Sequence, residues 1–491
     1  MATIAEQLTS LANTKTAIKD AIVAKGVTVA DDTPFSGYAA KIGEISGGGG
    51  ESSDEWQPNP KWWDIKKILD EDTRDYPGKV GVILYNFNDV SDFTLSSSGM
   101  TAVATSDGAF YSYADNGSAV SHNWDTSKDK DDGRGLKTRW VVYYYTKDTT
   151  SNTFRQTHTE FGWAYNYIAY LVLRINCSSG FYFCSDQRLL EAIDNIGYTI
   201  SGTNFLNFCY YCHLLTKLPD GLDTSSGTTF QAFCSNCYSL TKLPDGLDTS
   251  KGTTFQAFCS NCYSLTKLPD GLDTSNGTTF QNFCYCCYSL AKLPDGLDTS
   301  NGTSFQNFCY YCSLLTKLPD GLDTSSGTNF SNFCYYCYSL TKLPDGLDTS
   351  SGTNFSYFCS YCSSLAKLPD GLDTSSGTNF GYFCSYCSSI QVIPEITMAA
   401  NTTAITSKYS GPFNNTSWLK TIYLTLPSNT NFWLDSSTRI SIESFRYIAD
   451  HAPDVTATPR TFTIGSKNIT RCNEADPTII TDLNAKGWTV A

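Results

Sequence analysis

Residues 205–229 read FLNFCYYCHLLTKLPDGLDTSSGTT, and the chain repeats this phrase, with small changes, down to residue 390. The fragment Phe-x-x-Phe-Cys-x-x-Cys returns with Cys209, Cys234, Cys259, Cys284, Cys309, Cys334, Cys359 and Cys384 as its first cysteine, always 25 residues apart. Between them stand seven copies of Lys-Leu-Pro-Asp-Gly-Leu-Asp-Thr-Ser, from Lys217 to Lys367. Strict self-similarity at this period predicts a solenoid, in which each unit buries its apolar face only against its neighbours.

The phase of one unit can be read from its spacing. Phe205, Phe208, Cys209 and Cys212 fall at i, i+3, i+4 and i+7, which predicts one face of a short helix. Leu215, Leu218 and Leu222 continue the apolar set through a short extended piece. Pro219-Asp220-Gly221 turns the chain, Ser225-Ser226-Gly227-Thr228 turns it again, and Thr228 or Thr229 is placed to cap the next helix. The expected coil is helix, turn, short strand, turn. Strands stacked at ~4.8 Å would make a rod ~40 Å long.

The positions that vary carry the candidate site. One column reads Tyr210, Ser235, Ser260, Tyr285, Tyr310, Tyr335, Ser360, Ser385. The next reads Tyr211, Asn236, Asn261, Cys286, Tyr311, Tyr336, Tyr361, Tyr386. A third reads His213, Tyr238, Tyr263, Tyr288, Ser313, Tyr338, Ser363, Ser388. On a helix these point away from the buried stripe. Tyr with Ser and Asn is the palette of a paratope, rigid amphipathic area plus adaptable hydrogen bonding. The aromatic members, with His213, are the expected binding residues. Drift at exposed positions is the plainer alternative.

Composition narrows the partners. The chain has 491 residues and net charge −14, and shows no basic patch, so nucleic acid and anionic membranes are poor partners. No run of 18 apolar residues predicts a membrane span. Met1-Ala-Thr-Ile-Ala-Glu lacks the charged and apolar regions of a signal peptide, so synthesis in a cytosol without the usual export is expected. Stacked Asp residues raise calcium, but Asp beside a turn commonly bonds its own backbone. The 20 cysteines raise zinc. The unbroken ladder has no natural grouping into fours, so buried thiols packing as small hydrophobes are expected, with disulfides or metal as alternatives and no cofactor assigned. Cys286 sits at an outward position, as a reactive thiol would. There is no Walker loop, nucleophile elbow or paired-histidine motif, and no enzymatic activity is expected.

Five segments follow. Residues 1–46 are expected to be a helical docking or oligomerisation module, with Ile4, Leu8, Leu11, Ile18 and Ile22 in one register and Lys15 interrupting it. Residues 47–55 are a Gly-rich linker. Residues 56–175 hold Trp56, Trp62, Trp63, Trp124, Trp140 and Trp163, a short helix from Trp62 to Leu69 and strands at 79–87, 101–113, 139–146 and 167–175. That is a mostly-β domain whose aromatics are core or a sugar platform. Asp125 to Gly135 reads as an exposed loop. Residues 176–395 are the α/β repeat solenoid, opened by an atypical coil in which Cys184 precedes Cys209 by 25 residues and Gln187 replaces the second cysteine. Residues 396–491 are an α+β cap, with a strand after Trp418, a helix over 441–451, a strand over 460–464 and a helix over 479–486.

Two resemblances follow from these motifs. Leu11-Ala-Asn-Thr-Lys-Thr-Ala-Ile-Lys-Asp-Ala-Ile, Lys25-Gly-Val-Thr-Val and Thr33-Pro-Phe-Ser-Gly-Tyr-Ala-Ala-Lys-Ile resemble the N-terminal segment of many bacteriophage tail and tail-fibre proteins. This implies attachment to other virion tail proteins, possible homo-oligomers and a virion location. The repeat, with its Cys-x-Ser-Leu core and Asp-Thr-Ser turn, looks like BspA-type bacterial leucine-rich repeats, although a cysteine stands where an aromatic is usual. It implies surface display and recognition. Together they imply a receptor-binding tail fibre that meets a bacterial surface glycan or protein. A BspA-type adhesin, a polysaccharide-degrading spike and a purely structural virion part are the rival readings.

Overall fold

The computed structural model describes residues 63–76, 78–86, 92–95, 101–112, 120–132, 134–145, 168–178, 182–195, 197–398, 405 and 408–491. The expected module 1–46 and linker 47–55 lie outside the described residues. Asn59–Ala491 is one compact unit, distinct from Met1–Pro58.

Near-continuous apolar runs build the first part. Helix α1 (Ile65–Glu71) is capped by Asp64, whose carboxylate accepts the Lys67 N–H at 3.0 Å. Strand β1 (Gly78–Asn86) is followed by the small pair β2 (Asp92–Leu95) and β5 (Val120–Asn123). Strands β3 (Ala102–Thr105), β4 (Phe110–Ser112), β6 (Lys130–Asp131), β7 (Lys137–Tyr145), β8 (Ile168–Arg174) and β9 (Ala192–Asp194) complete a larger sheet with β1. Its order is β4-β3-β7-β1-β8-β9, with β6 beside β7. The expected strand over 101–113 is two strands with a turn between them. The expected loop from Asp125 contains a 3₁₀ turn (Thr126–Lys128) and β6, and Asp132 within it is fully buried.

The sheet leads directly into the repeats. Strand β9 pairs in parallel with β8, and the Glu191 N–H donates to the Ala169 carbonyl at 2.9 Å. The same row continues as Thr216 to Glu191, Thr241 to Thr216 and Thr266 to Thr241, one bond per repeat. At the far end the Gln391 N–H meets Ala366 and the Lys420 N–H meets Gln391. One buried apolar cluster runs from Val80 to Trp488.

The expected helix of the repeat does not form. The i, i+3, i+4, i+7 residues are buried as their spacing predicts, but the backbone is a chain of turns. Asn207 and Tyr211 have φ of 54° and 62°, and the same two positions are left-handed in every copy. This aims the N–H groups of Phe205, Asn207, Cys209 and Tyr211 at the carbonyls of Thr229, Gln231, Phe233 and Ser235 in the next unit, at 2.9–3.0 Å. An eight-residue helix would have to meet the cost of nucleation alone, whereas a neighbour's carbonyls satisfy the same donors. Thr228 accordingly caps no helix: its hydroxyl donates to the Thr203 carbonyl at 3.1 Å. The expected strand survives as single parallel bridges, such as Lys242 to Lys267 and Thr229 to Thr254.

Side chains repeat at the same step. Phe205, Phe230, Phe255, Phe280, Phe305, Phe330, Phe355 and Phe380 stack face to face at 5.5–5.8 Å. A second ladder runs from Phe183 through Phe208 to Phe383. Such ladders fit a repeat solenoid. The atypical first unit shares the backbone: Tyr182 and Asp186, 25 residues before Asn207 and Tyr211, also have positive φ.

Beyond the repeats, β10 (Val392–Thr397) pairs in parallel with β11 (Thr421–Thr425). Carbonyls of Ser410, Pro412 and Asn414 receive the N–H groups of Tyr382, Cys384 and Tyr386. Helix α2 (Ile442–His451), β13 (Arg460–Thr463) and α4 (Thr478–Ala485) lie where they were expected, while β12 (Phe432–Trp433), α3 (Ser466–Ala475) and β14 (Trp488–Val490) were not foreseen.

The stack makes two stability predictions. A Cβ on Gly277 would stand 2.7 Å from Phe280 Cζ and 2.9 Å from Phe255 Cδ2, whereas one on Gly271 meets nothing within 4 Å. Gly277→Ala is expected to cost about 1–3 kcal/mol in urea unfolding and Gly271→Ala far less. Ala257 holds φ at 55°, so Ala257→Gly should stabilise the chain by about 0.5–1 kcal/mol in the same assay.

Candidate functional site

The variable columns form a surface strip of aromatic rings. None of the expected binding residues is fully buried, and Tyr288, Tyr338 and Tyr386 are 36–37% exposed. His213, Tyr238, Tyr263 and Tyr288 stack in sequence with centroids 4.1, 4.5 and 4.8 Å apart. Tyr288 then meets Tyr311 edge-on at 5.3 Å. Tyr311, Tyr336, Tyr361 and Tyr386 continue at 4.7, 4.5 and 4.3 Å. The strip thus changes column where Asn236, Asn261 and Cys286 give way to tyrosine. Every repeat supplies at least one ring.

A parallel row lies beside it. Tyr285 and Tyr310 stack at 4.5 Å, Tyr335 contacts Tyr310 and Tyr336, and Tyr338 contacts Tyr311 and Tyr336. Tyr210 packs edge-on against Tyr211 at the first repeat, where Arg188 lies 5.6 Å over the Tyr211 ring. Tyr357 and Tyr382 also belong here: they stack at 4.5 Å, and Tyr357 touches Tyr335. They occupy the column of Asn207, ahead of the paired cysteines, which carries a ring only in the last two copies. Leu214 and Leu314 flank the strip, 38% and 53% exposed.

The smaller residues of the same columns behave differently from expectation. Ser235, Ser260, Ser360 and Ser385 are buried, and so is Asn236. Their neighbours cover a short side chain where tyrosine reaches past them. Ser360 donates to the Ser385 carbonyl at 2.8 Å, and Asn261 donates to Asn236 at 3.0 Å. They tie repeats together, so the display is carried by the aromatics.

The strip is electrically neutral. No copy has a charged residue between the first phenylalanine and the threonine or alanine ahead of the lysine. Burial, and then the Arg188 guanidinium, hold the His213 imidazole below its ordinary value, so it is neutral at neutral pH. Burial pushes the phenols of Tyr210, Tyr285 and Tyr361 up to about 12.

The charged residues are occupied elsewhere. Asp223, Asp248, Asp273, Asp298, Asp323, Asp348 and Asp373 each accept the N–H of the serine two residues on, at 2.8–3.0 Å. Asp270, Asp295 and Asp320 face the lysine of the next repeat at 3.5–3.9 Å. These contacts use the Asp rows within the frame, the turn role weighed against calcium.

All the cysteines are buried and free. The second of each pair donates its S–H to the carbonyl of the first cysteine one repeat earlier, as in Cys237 to Cys209 at 2.9 Å and Cys337 to Cys309 at 3.0 Å. Cys259, Cys284 and Cys287 hold their sulfurs within 4.8 Å of one another. Cys286 is not the outward reactive thiol expected: it is only 7% exposed, and burial pushes it up to about 11.

In the β sheet, Trp124 is buried, and Trp63 meets Trp140 edge-on with Lys130 over the Trp63 ring. Sequence reasoning missed a buried polar network there. His122 lies between Asp107 Oδ2 at 2.9 Å and the Tyr111 hydroxyl at 2.7 Å, and is 5% exposed. Its parts come from β4, β5 and the turn between β3 and β4, a spatial arrangement with no spacing signal.

Compared with known proteins, the sequence matches no family model, and no curated protein matches it. The reading of function therefore rests on the geometry.

Buried thiols make stability depend on pH. Cys184 is pushed by burial from 9.0 up to about 11, and Cys209, Cys234 and Cys284 move the same way. Folded thiols hold their protons after unfolded ones have lost theirs, so stability is full below the unfolded value and is lost as pH rises toward the folded one. Each thiol ionised only in the unfolded chain subtracts about 1.4 kcal/mol per pH unit. Thermal melts stepped upward from about pH 8 should fall steeply above about pH 9.

Proposed function

We propose that this chain is a virion tail-fibre-like receptor-binding protein whose residues 176–395 are a leucine-rich-repeat solenoid, closed by 396–491, that meets a bacterial surface glycan or protein. The observation that carries this reading is the unbroken aromatic strip. Internal packing has no need of it, since two phenylalanine ladders and the leucines already fill the interior. Rings held against one another in fixed positions are a preorganised contact surface, and tyrosine binds at low entropy cost. Occupied carboxylates and a neutral strip favour recognition over catalysis. The acidic chain is a poor partner for nucleic acid, and no described helix is long and apolar enough to cross a membrane. The N-terminal motifs support docking to other tail proteins and location on a virion.

Labelled full-length protein should bind a subset of a panel of bacterial strains. The triple change Tyr311→Ser, Tyr336→Ser and Tyr361→Ser should weaken that binding more than about tenfold, with the far-UV spectrum and melting behaviour of a folded chain. Unchanged binding would remove the strip from the receptor site.

A further inference from the structure

We infer that the strip takes an uncharged, hydroxyl-rich linear polymer, a neutral polysaccharide, lying along the direction of stacking and spanning several repeats; this rests on the receptor-binding reading above. Three observations lead there. Charge is the first. The strip segment carries none in any copy, and His213 is held neutral, in a chain whose net charge is −14. An anionic polymer would find no row of cations along the rings and would be opposed by the net field. A cationic partner would find its counter-charges in the Lys-Leu-Pro-Asp-Gly-Leu-Asp-Thr-Ser segment, away from the rings, where Asp270, Asp295 and Asp320 already face lysines and Asp273, Asp298 and Asp323 accept serine N–H groups.

Continuity is the second. The Tyr211 column lacks a ring at Asn236, Asn261 and Cys286, and in those same repeats Tyr238, Tyr263 and Tyr288 supply it from the His213 column. Contact passes between the columns at Tyr288 and Tyr311, 5.3 Å apart. A compact epitope would need rings at a few repeats only. An unbroken line suits a ligand that is itself a line.

The third is what the rings leave free. Neighbours 4.1–4.8 Å apart cover each other's faces along His213–Tyr288, so solvent reaches edges and phenol tips. Edge and hydroxyl contacts hydrogen-bond to a hydroxyl-rich chain, and they recur once per repeat, a spacing comparable to one sugar in an extended glycan. The phenols of Tyr285 and Tyr361, pushed up to about 12, keep their donor protons at any physiological pH.

The test uses polysaccharide extracted from a strain the full-length protein binds, separated by anion exchange into neutral and acidic pools and then cut to graded lengths. The neutral pool should compete with cells for the protein, and fragments of about eight sugars should compete at least tenfold better than those of about two, as expected when contacts add along one chain. Competition should change little with salt, since no ion pairs are made. The Tyr311→Ser, Tyr336→Ser, Tyr361→Ser variant should lose it, while Lys317→Ala, which breaks only an exposed pair with Asp295, should keep it. Competition by the acidic pool alone, or by short and long fragments equally, overturns the inference. So does cell binding that needs the tyrosines but survives periodate oxidation of surface sugars, a result that leaves receptor binding standing with a protein receptor. Absence of binding to any strain removes both.

Discussion

Each repeat donates four N–H groups to the carbonyls of the next, from alternate residues of one short segment, and the rest of the structure depends on that exchange. Phe205, Asn207, Cys209 and Tyr211 make it in the first copy, and Phe355, Tyr357, Cys359 and Tyr361 make it again near the last. Alternate residues face one way only if the backbone takes a left-handed step at the third and seventh positions, and those steps are filled by Asn, Ala, Tyr and Cys rather than Gly. Each such residue costs on the order of 1 kcal/mol or more. The bonds satisfy donors that the interior would otherwise leave unpaired, a larger penalty. The arrangement has a direction. It therefore needs an acceptor at its C-terminal end, and Ser410, Pro412 and Asn414 supply one.

The paired cysteines follow from the same constraint. The carbonyl of the first cysteine already accepts the N–H three residues on, as Cys209 does from Cys212. The second cysteine of the following repeat adds an S–H donor to that oxygen while filling space as a small apolar group. Serine would bring a more strongly hydrated hydroxyl into a dry ladder, and alanine would bring no donor. The thiol combines modest desolvation with a usable hydrogen, so its regular spacing has a reason in packing and hydrogen bonding.

This explains which features were legible in the sequence. Burial of Phe205, Phe208, Cys209 and Cys212 could be read from spacing, because the inward set is the same for a helix and for this chain of turns. The element could not, because its hydrogen bonds run to residues 24 positions away and leave no local signature. The long strands β1, β7 and β8 were readable from apolar runs, and α2 from Ile442, Phe445 and Ile448 on one face. Helix α3 has no side-chain cap at Gly465 and few apolar residues, so nothing announced it. For the site, the tyrosine columns were visible by aligning copies. That Ser360 and Ser385 sink while Tyr310 and Tyr335 of the same column rise depends on side-chain reach, and that Tyr357 joins them depends on its left-handed backbone.

The left-handed step also connects frame to display. Tyr211, Tyr311, Tyr336, Tyr361 and Tyr386 occupy the seventh position, whose N–H is given to the next repeat. The residue that closes the backbone exchange is thus the one whose side chain leaves the core. A ring at this position is fixed by its own backbone bond and by the rings above and below it. Ordering it for a ligand costs little further entropy, since folding has already restricted it. Because the position lies outside the phenylalanine and leucine ladders, Asn236, Cys286 and Tyr311 are interchangeable as far as the stack is concerned. The frame therefore tolerates change in the column that a ligand would meet, and it resists change in the buried cysteine column one residue further on, Cys212 and its counterparts.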